Sequence, residues 1–139
     1  MKNKGVTNKM FLPLTVAVIL LALITPAIGI DHPVEPFQKA KAMALLEGRV
    51  IERENGKMYV LTIEGWGTIT YSSWTESIML WKGTPNNNVG VIYYGKSSKY
   101  SVSRRIEGSE SETTNVDWSV AMDIAYKYLQ EIEAVRSKK

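Results

Sequence analysis

The sequence has no cysteine and a single histidine in 139 residues. Absence of cysteine excludes disulfides, thiol nucleophiles, thiolate metal sites and a lipid carried on an N-terminal cysteine. The one histidine, His32, lies in a proline-bearing linker. A Ser-His-Asp triad held on a rigid scaffold is therefore not available. The chain also lacks an Asn-x-Ser/Thr sequon and any internal repeat. Its net charge of +3 points first toward nucleic acid, but Lys2, Lys4 and Lys9 account for the whole excess. Beyond them, 14 basic side chains meet 14 acidic ones. A balanced charge gives no field to attract phosphate, so no nucleic-acid partner is expected.

What the sequence does have is one long uncharged run, residues 11–30, FLPLTVAVILLALITPAIGI. Twenty helical residues at about 1.5 Å each reach roughly 30 Å, the depth of a bilayer core. Pro13 and Pro26 interrupt the run, however. The stretch between them covers about 18 Å, an ordinary signal-peptide core. Ala27-Ile28-Gly29 is a small-x-small cleavage site, and Thr25-Pro26-Ala27 is a second one. Two readings stay open: residues 1–29 are a secretion signal, or they are retained as an anchor helix with the three lysines on the cytoplasmic side. Both place the rest of the chain outside the cytoplasm, secreted or anchored, and touching the membrane only through residues 11–30. Cleavage after Gly29 would expose Ile30-Asp31-His32, which resembles the amino-terminal copper/nickel motif. There the amine, two backbone amides and the imidazole form a square plane. Beyond that open possibility, neither a metal nor a cofactor is expected.

After a linker at 30–35, residues 36–139 read as a single α+β domain. Proline suits a first helical position, so a helix is expected from Pro36. Phe37, Ala40, Met43 and Ala44 recur at helical spacing with Leu46 beside them, and Gly48 is placed to end the helix in a left-handed conformation. RVIERE, Asn55-Gly56 and KMYVLTIE then read as a hairpin. A loop of Asn55-Gly56 pairs Glu54 with Lys57, Glu52 with Tyr59, Ile51 with Val60 and Val50 with Leu61. Val50, Tyr59, Leu61 and Ile63 then share one face, while Ile51, Met58 and Val60 share the other. Gly65-Trp66-Gly67 breaks the chain. Strands are expected at 68–72, 77–82, 89–94 and 100–107, the last alternating so cleanly that one face should be wet. Residues 108–114 are acidic, serine-rich and read as flexible. Asn115 or Asp117 is suited to cap a long helix over 118–136, along which Lys127 and Glu131 form an i,i+4 pair. The expected order is helix, an antiparallel meander of five or six strands, and a long C-terminal helix packed on the sheet.

The segment 36–63, with its Ala-rich helix KAKAMALLEG, strand RVIERE, Asn55-Gly56 and strand KMYVLTI, resembles the PepSY domain family. PepSY modules are exported or membrane-tethered and are thought to bind and restrain partners, peptidases among them. The resemblance implies a binding role of that kind and assigns no functional residue.

Carboxylates offer little chemistry. Glu64 and Glu76 flank the aromatic segment, but nothing in their spacing makes them a glycosidase acid and base. Glu110, Glu112 and Asp117 lack the alternating ligands and central glycine of a calcium loop. Aromatic residues are the stronger signal. Trp66, Tyr71, Trp74 and Trp81 fall close together among Gly, Ser and Thr. Tyr71 and Trp81 lie mid-strand and are assigned to the core. Trp66 and Trp74 fall at breaks, where binding residues gather, and are the candidate binding residues. The reading is a small exported or membrane-anchored, non-enzymatic binding or regulatory domain, with no catalytic residue, that contacts an extracytoplasmic protein or peptide. The alternative is a carbohydrate-binding module.

Overall fold

The computed structural model describes residues 34–138. The expectations for the leader, its cleavage sites and the His32 motif lie outside those residues. Two helices flank seven strands: α1 (Glu35–Glu47), β1 (Arg49–Arg53), β2 (Gly56–Ile63), β3 (Gly67–Ser72), β4 (Ser77–Gly83), β5 (Asn88–Tyr94), β6 (Lys99–Arg105), β7 (Glu112–Val116) and α2 (Trp118–Arg136). The strands form one antiparallel sheet in the order β1-β2-β3-β4-β5-β6-β7. The fold is therefore α+β, a meander with the C-terminal helix packed on it.

The core lies between the two helices and one face of this sheet. In α1, Pro36, Phe37, Ala40 and Ala44 are buried. Their spacing makes a single stripe, and the two alanines let the backbone come close to the strands. In α2, Ala121, Met122, Ala125, Tyr128, Leu129 and Ile132 do the same. Against them pack Ile63, Ile69, Tyr71, Ile78, Leu80, Val91 and Tyr100. Ile69, Leu80, Val91 and Val102 stand in one row across β3 to β6, and Tyr71, Ile78, Tyr93 and Tyr100 stand in the next. Phe37 closes the second row, its ring 5.6 Å from that of Tyr93 and 6.2 Å from that of Tyr100.

Several expectations need correction. The first hairpin pairs Glu52 with Lys57, Ile51 with Met58 and Val50 with Tyr59, two residues out of the expected register. The turn is therefore Glu54-Asn55, and Gly56 opens β2 with φ +155. A shift of two keeps every side chain on its own face, so the facial assignments stand. The favourable cross-strand pair becomes Glu52–Lys57.

Gly48 is extended (φ −77), not left-handed. Glycine is used there for room, since an added Cβ would lie 2.5 Å from the Ala44 carbonyl oxygen.

A seventh strand forms where a flexible loop was expected. Glu112 lies opposite Arg104, Thr113 opposite Ser103 and Asn115 opposite Ser101. Ser101 Oγ donates to Asn115 Oδ1 at 2.9 Å, and the Ser103 and Thr113 hydroxyls are 3.1 Å apart. The serines of β6, expected wet, are instead shielded sideways by their bonded partners on β7: Ser101 is 1 % and Ser103 6 % exposed. Asp117 occupies the cap position of α2 but makes no side-chain cap bond.

Candidate functional site

Both helices pack on the same side, so among the described residues no element covers the other face of the sheet. Alternation along the strands settles what that face carries. The register brings Ile51, Met58 and Val60 of β1 and β2 into line with Thr70 of β3, Met79 and Trp81 of β4, and Ile92 and Tyr94 of β5. All but Ile92 are half-buried. Toward β6 and β7 the face turns polar, with the bonded serine, threonine and asparagine pairs.

Two tryptophans lie on glycines here. The six-membered ring of Trp81 covers Gly90, where an added Cβ would be 2.3 Å from Trp81 Cε3. Trp74, in the β3–β4 turn, covers Gly56, its Cε3 3.2 Å from the position of an added Cβ. In each case a missing side chain makes the seat for an indole. Trp81 belongs to this open face and not to the core, because it falls on the opposite parity from Leu80. Tyr71 does lie in the core, stacked on Tyr59 at 5.9 Å.

Trp66 is placed differently. It sits in the β2–β3 turn, 7 % exposed, on the helix side of the sheet. Its ring meets Tyr128 edge-on at 5.4 Å, and Nε1 donates to Glu131 Oε1 at 3.0 Å. The Lys82 ammonium reaches the same oxygen at 2.9 Å. Glu131 is thus engaged by Trp66 and Lys82 from other elements, with Lys127 acting on it only through charge. The structure does not bring the two candidate tryptophans together. Trp74 lies at an end of the open face, whereas Trp66 pins α2 to the sheet.

Partial burial pushes the Glu131 carboxyl up, but the Trp66 and Lys82 hydrogen bonds and the charges of Lys82 and Lys127 together hold it below the ordinary carboxylate range. Tyr128 beside it is pushed up, by burial first and then by the Glu131 charge. A carboxyl depressed in the folded state stabilises the fold above its unfolded pKa, and that stability is lost as pH falls through the folded value. Glu131→Gln is therefore expected to lower the melting temperature at pH 7 and to leave it less changed at pH 3. Parallel melting curves for the two proteins across that range would remove this role for Glu131.

At the end of the sheet where Trp81 lies, the β2–β3 turn and the β4–β5 loop enclose a cleft of ≈ 550 Å³ that includes Glu64, Trp66, Thr68 and Pro85. An adjoining hollow of ≈ 240 Å³ is walled by Trp81, Thr68 and Asn88. The Asn88 amide donates to the carbonyls of Thr84 and Pro85 and so shapes the loop. Elsewhere, Met43, Leu129 and Ile132 floor a groove of ≈ 390 Å³ between the helices. Lys39, Glu133 and Arg136 line it as well, Lys39 paired with Glu133 and Arg136 with Glu47. Among the described residues, no group of three His, Asp or Glu side chains is placed to hold a metal. No described helix is long and apolar enough to cross a membrane.

No family model matches the chain, and neither a curated protein nor a solved structure matches it.

Proposed function

We propose that this chain is a non-enzymatic recognition module working outside the cytoplasm, and that it binds a protein or peptide with the open face of its sheet. One observation carries this reading. Among the described residues the seven-stranded sheet is covered on one side only, and its other side presents Trp74, Trp81, Tyr94, Met58 and Met79 around an apolar centre. Aromatic residues and methionine are the side chains enriched where proteins grip one another, and adaptable methionines suit a surface that must fit a partner. The part of the chain that resembles PepSY domains supplies Ile51, Met58 and Val60 to this face. That agrees with a restraining role toward a peptidase or similar partner.

A photo-crosslinking residue placed at Thr70, within the face, tests the reading against one placed at Glu133, on the helix layer. In native membranes or culture fluid, the Thr70 position is expected to capture a discrete polypeptide, and Trp81→Ala is expected to abolish the capture without changing the far-ultraviolet spectrum. Capture from Glu133 alone, or capture indifferent to Trp81, would overturn the proposal.

A second reading has its own support. Trp81 walls a hollow together with the hydroxyl of Thr68 and the amide of Asn88, an aromatic platform with polar neighbours of the kind that stacks on sugars. A shift in tryptophan emission with neutral soluble glycans, lost in Trp81→Ala, would favour this carbohydrate-binding module over a protein-binding one.

A further inference from the structure

Charge is sorted between the two faces of the sheet. On the helix side, each acidic strand residue has a basic partner across the ladder, Glu52 opposite Lys57 and Glu112 opposite Arg104. On the open side, the charged strand residues are Arg49, Arg53, Lys99 and Arg105, and none is acidic. All four are exposed. Among the described residues none of them pairs with a carboxylate; the ion pairs involve Lys39, Lys82 and Arg136 on the helix side.

The positions are as telling as the sign. Arg49 and Arg53 stand on β1 at one edge, while Lys99 and Arg105 stand at the two ends of β6. Between them lies the apolar and aromatic field on β2 to β5. Four unbalanced cations therefore frame an apolar centre from both sides. Strand spacing puts β1 and β6 about 24 Å apart, the length of an extended peptide of roughly seven or eight residues. The rest of the domain compensates this charge elsewhere, in the turns and along α2, so overall neutrality conceals a basic frame.

Resting on the reading above, we infer that the partner presents an extended, acidic-ended segment whose central residues are apolar. Its carboxylates would reach Arg49 or Arg53 on one side and Arg105 or Lys99 on the other, and its apolar middle would lie over Met58, Met79 and Trp81. Charge of this kind steers encounter and sets which segments are accepted, while the aromatic centre supplies contact area. Bidentate pairing of arginine with carboxylate fits the preference for Arg at three of the four positions.

The test uses the chain as its cells produce it and a synthetic octapeptide, Glu-Asp-Leu-Phe-Leu-Met-Asp-Glu, with blocked ends. Titration followed by tryptophan emission is expected to saturate. Affinity should fall roughly tenfold or more in the double variant Arg49→Glu/Arg105→Glu, and similarly in Arg53→Glu/Lys99→Glu, which keeps the test open should the first pair fold poorly. It should also weaken on raising salt from about 50 to 500 mM, as screening shortens the reach of the frame. A peptide with lysine in place of its acidic residues, if it bound equally well, would sink the acidic-partner inference. The open-face reading would still stand, because Trp81 would still report binding. Tighter, arginine-dependent binding to phosphatidylglycerol vesicles or to a polyuronate than to the peptide would also overturn the inference, by assigning the frame to a membrane or a glycan. If no peptide binds and crosslinking from Thr70 is silent, both proposals fall together.

Discussion

Phe37→Ala is expected to remove about 3–5 kcal/mol of stability, the usual loss for a fully buried aromatic truncated to alanine. Phe37 is wholly inaccessible to solvent and is the largest side chain α1 commits to the core. Its ring contacts Tyr93 and Tyr100, which stack on each other at 5.3 Å. Removing it opens a void between the helix and the two strands that carry half of the second core row. A domain of this size holds roughly 5–15 kcal/mol in all, so the variant should melt about 20 °C lower or fail to fold at 37 °C. Leu46→Ala is the control, since Leu46 is 84 % exposed and its loss should cost under about 0.5 kcal/mol. Thermal melts followed by circular dichroism decide the matter. If Phe37→Ala costs no more than Leu46→Ala, α1 is not docked on the sheet.

Much of this architecture was legible in the residues, and what was not has a physical cause. Alternation in 68–72 and 77–82, and the stripe from Trp118 onward, located β3, β4 and α2, because burial on one side imposes the period directly. The first hairpin shows how far a turn signal reaches. Asn55-Gly56 marked the bend, yet the turn slid by one residue toward the N-terminus. The facial pattern survived because alternation constrains parity and not register. β7 escaped notice since only Val116 among its residues touches the core. Its side-chain bonds to β6 are the Asn115–Ser101 and Thr113–Ser103 pairs, which carry no hydropathy signal. Arg104 opposite Glu112 would have been the available clue.

The candidate site divides along the same line. Trp74 falls at a break, in the β3–β4 turn, where it lies against Gly56. Trp66 falls at a break too, but the Tyr128 ring and the Glu131 carboxylate draw it inward, and those partners are some sixty residues away in sequence. Trp81 looked like core because it is aromatic and mid-strand. Only the parity of β4, with Leu80 inward, sends it outward, and only Gly90 on the neighbouring strand gives it a seat. The basic frame was hidden for a related reason. Arg49, Arg53, Lys99 and Arg105 are scattered in sequence and cancelled by acidic turns in any count of net charge. Register alone gathers them on one side.

Gly67→Ala is expected to be nearly as damaging as loss of the core phenylalanine, for a different reason. Gly67 opens β3 directly opposite Lys82, and an added Cβ would lie 2.0 Å from the Trp81 carbonyl oxygen and 3.0 Å from the Lys82 Cα. Both obstacles are backbone, so no rotamer change relieves the contact. Its φ of +158 adds strain for any residue with a side chain. Either β3 separates from β4 at this end, or the ladder shifts, and a cost of about 3 kcal/mol is expected from overpacking of this kind. The comparison is Gly108→Ala. There φ is +83 but nothing lies within 4 Å, so only the conformational penalty of about 1 kcal/mol applies. Urea midpoints of the two variants should separate clearly, with Gly67→Ala the lower. The displacement also falls on Trp81 itself, since the obstructed carbonyl is its own. Gly67→Ala protein that remains folded should therefore show altered tryptophan emission and weaker capture from the open face, whereas Gly108→Ala should show neither. Equal midpoints would mean that the β3–β4 ladder does not close as tightly at Gly67 as the register requires. The seat of Trp81, and the binding face built on it, would have to be redrawn.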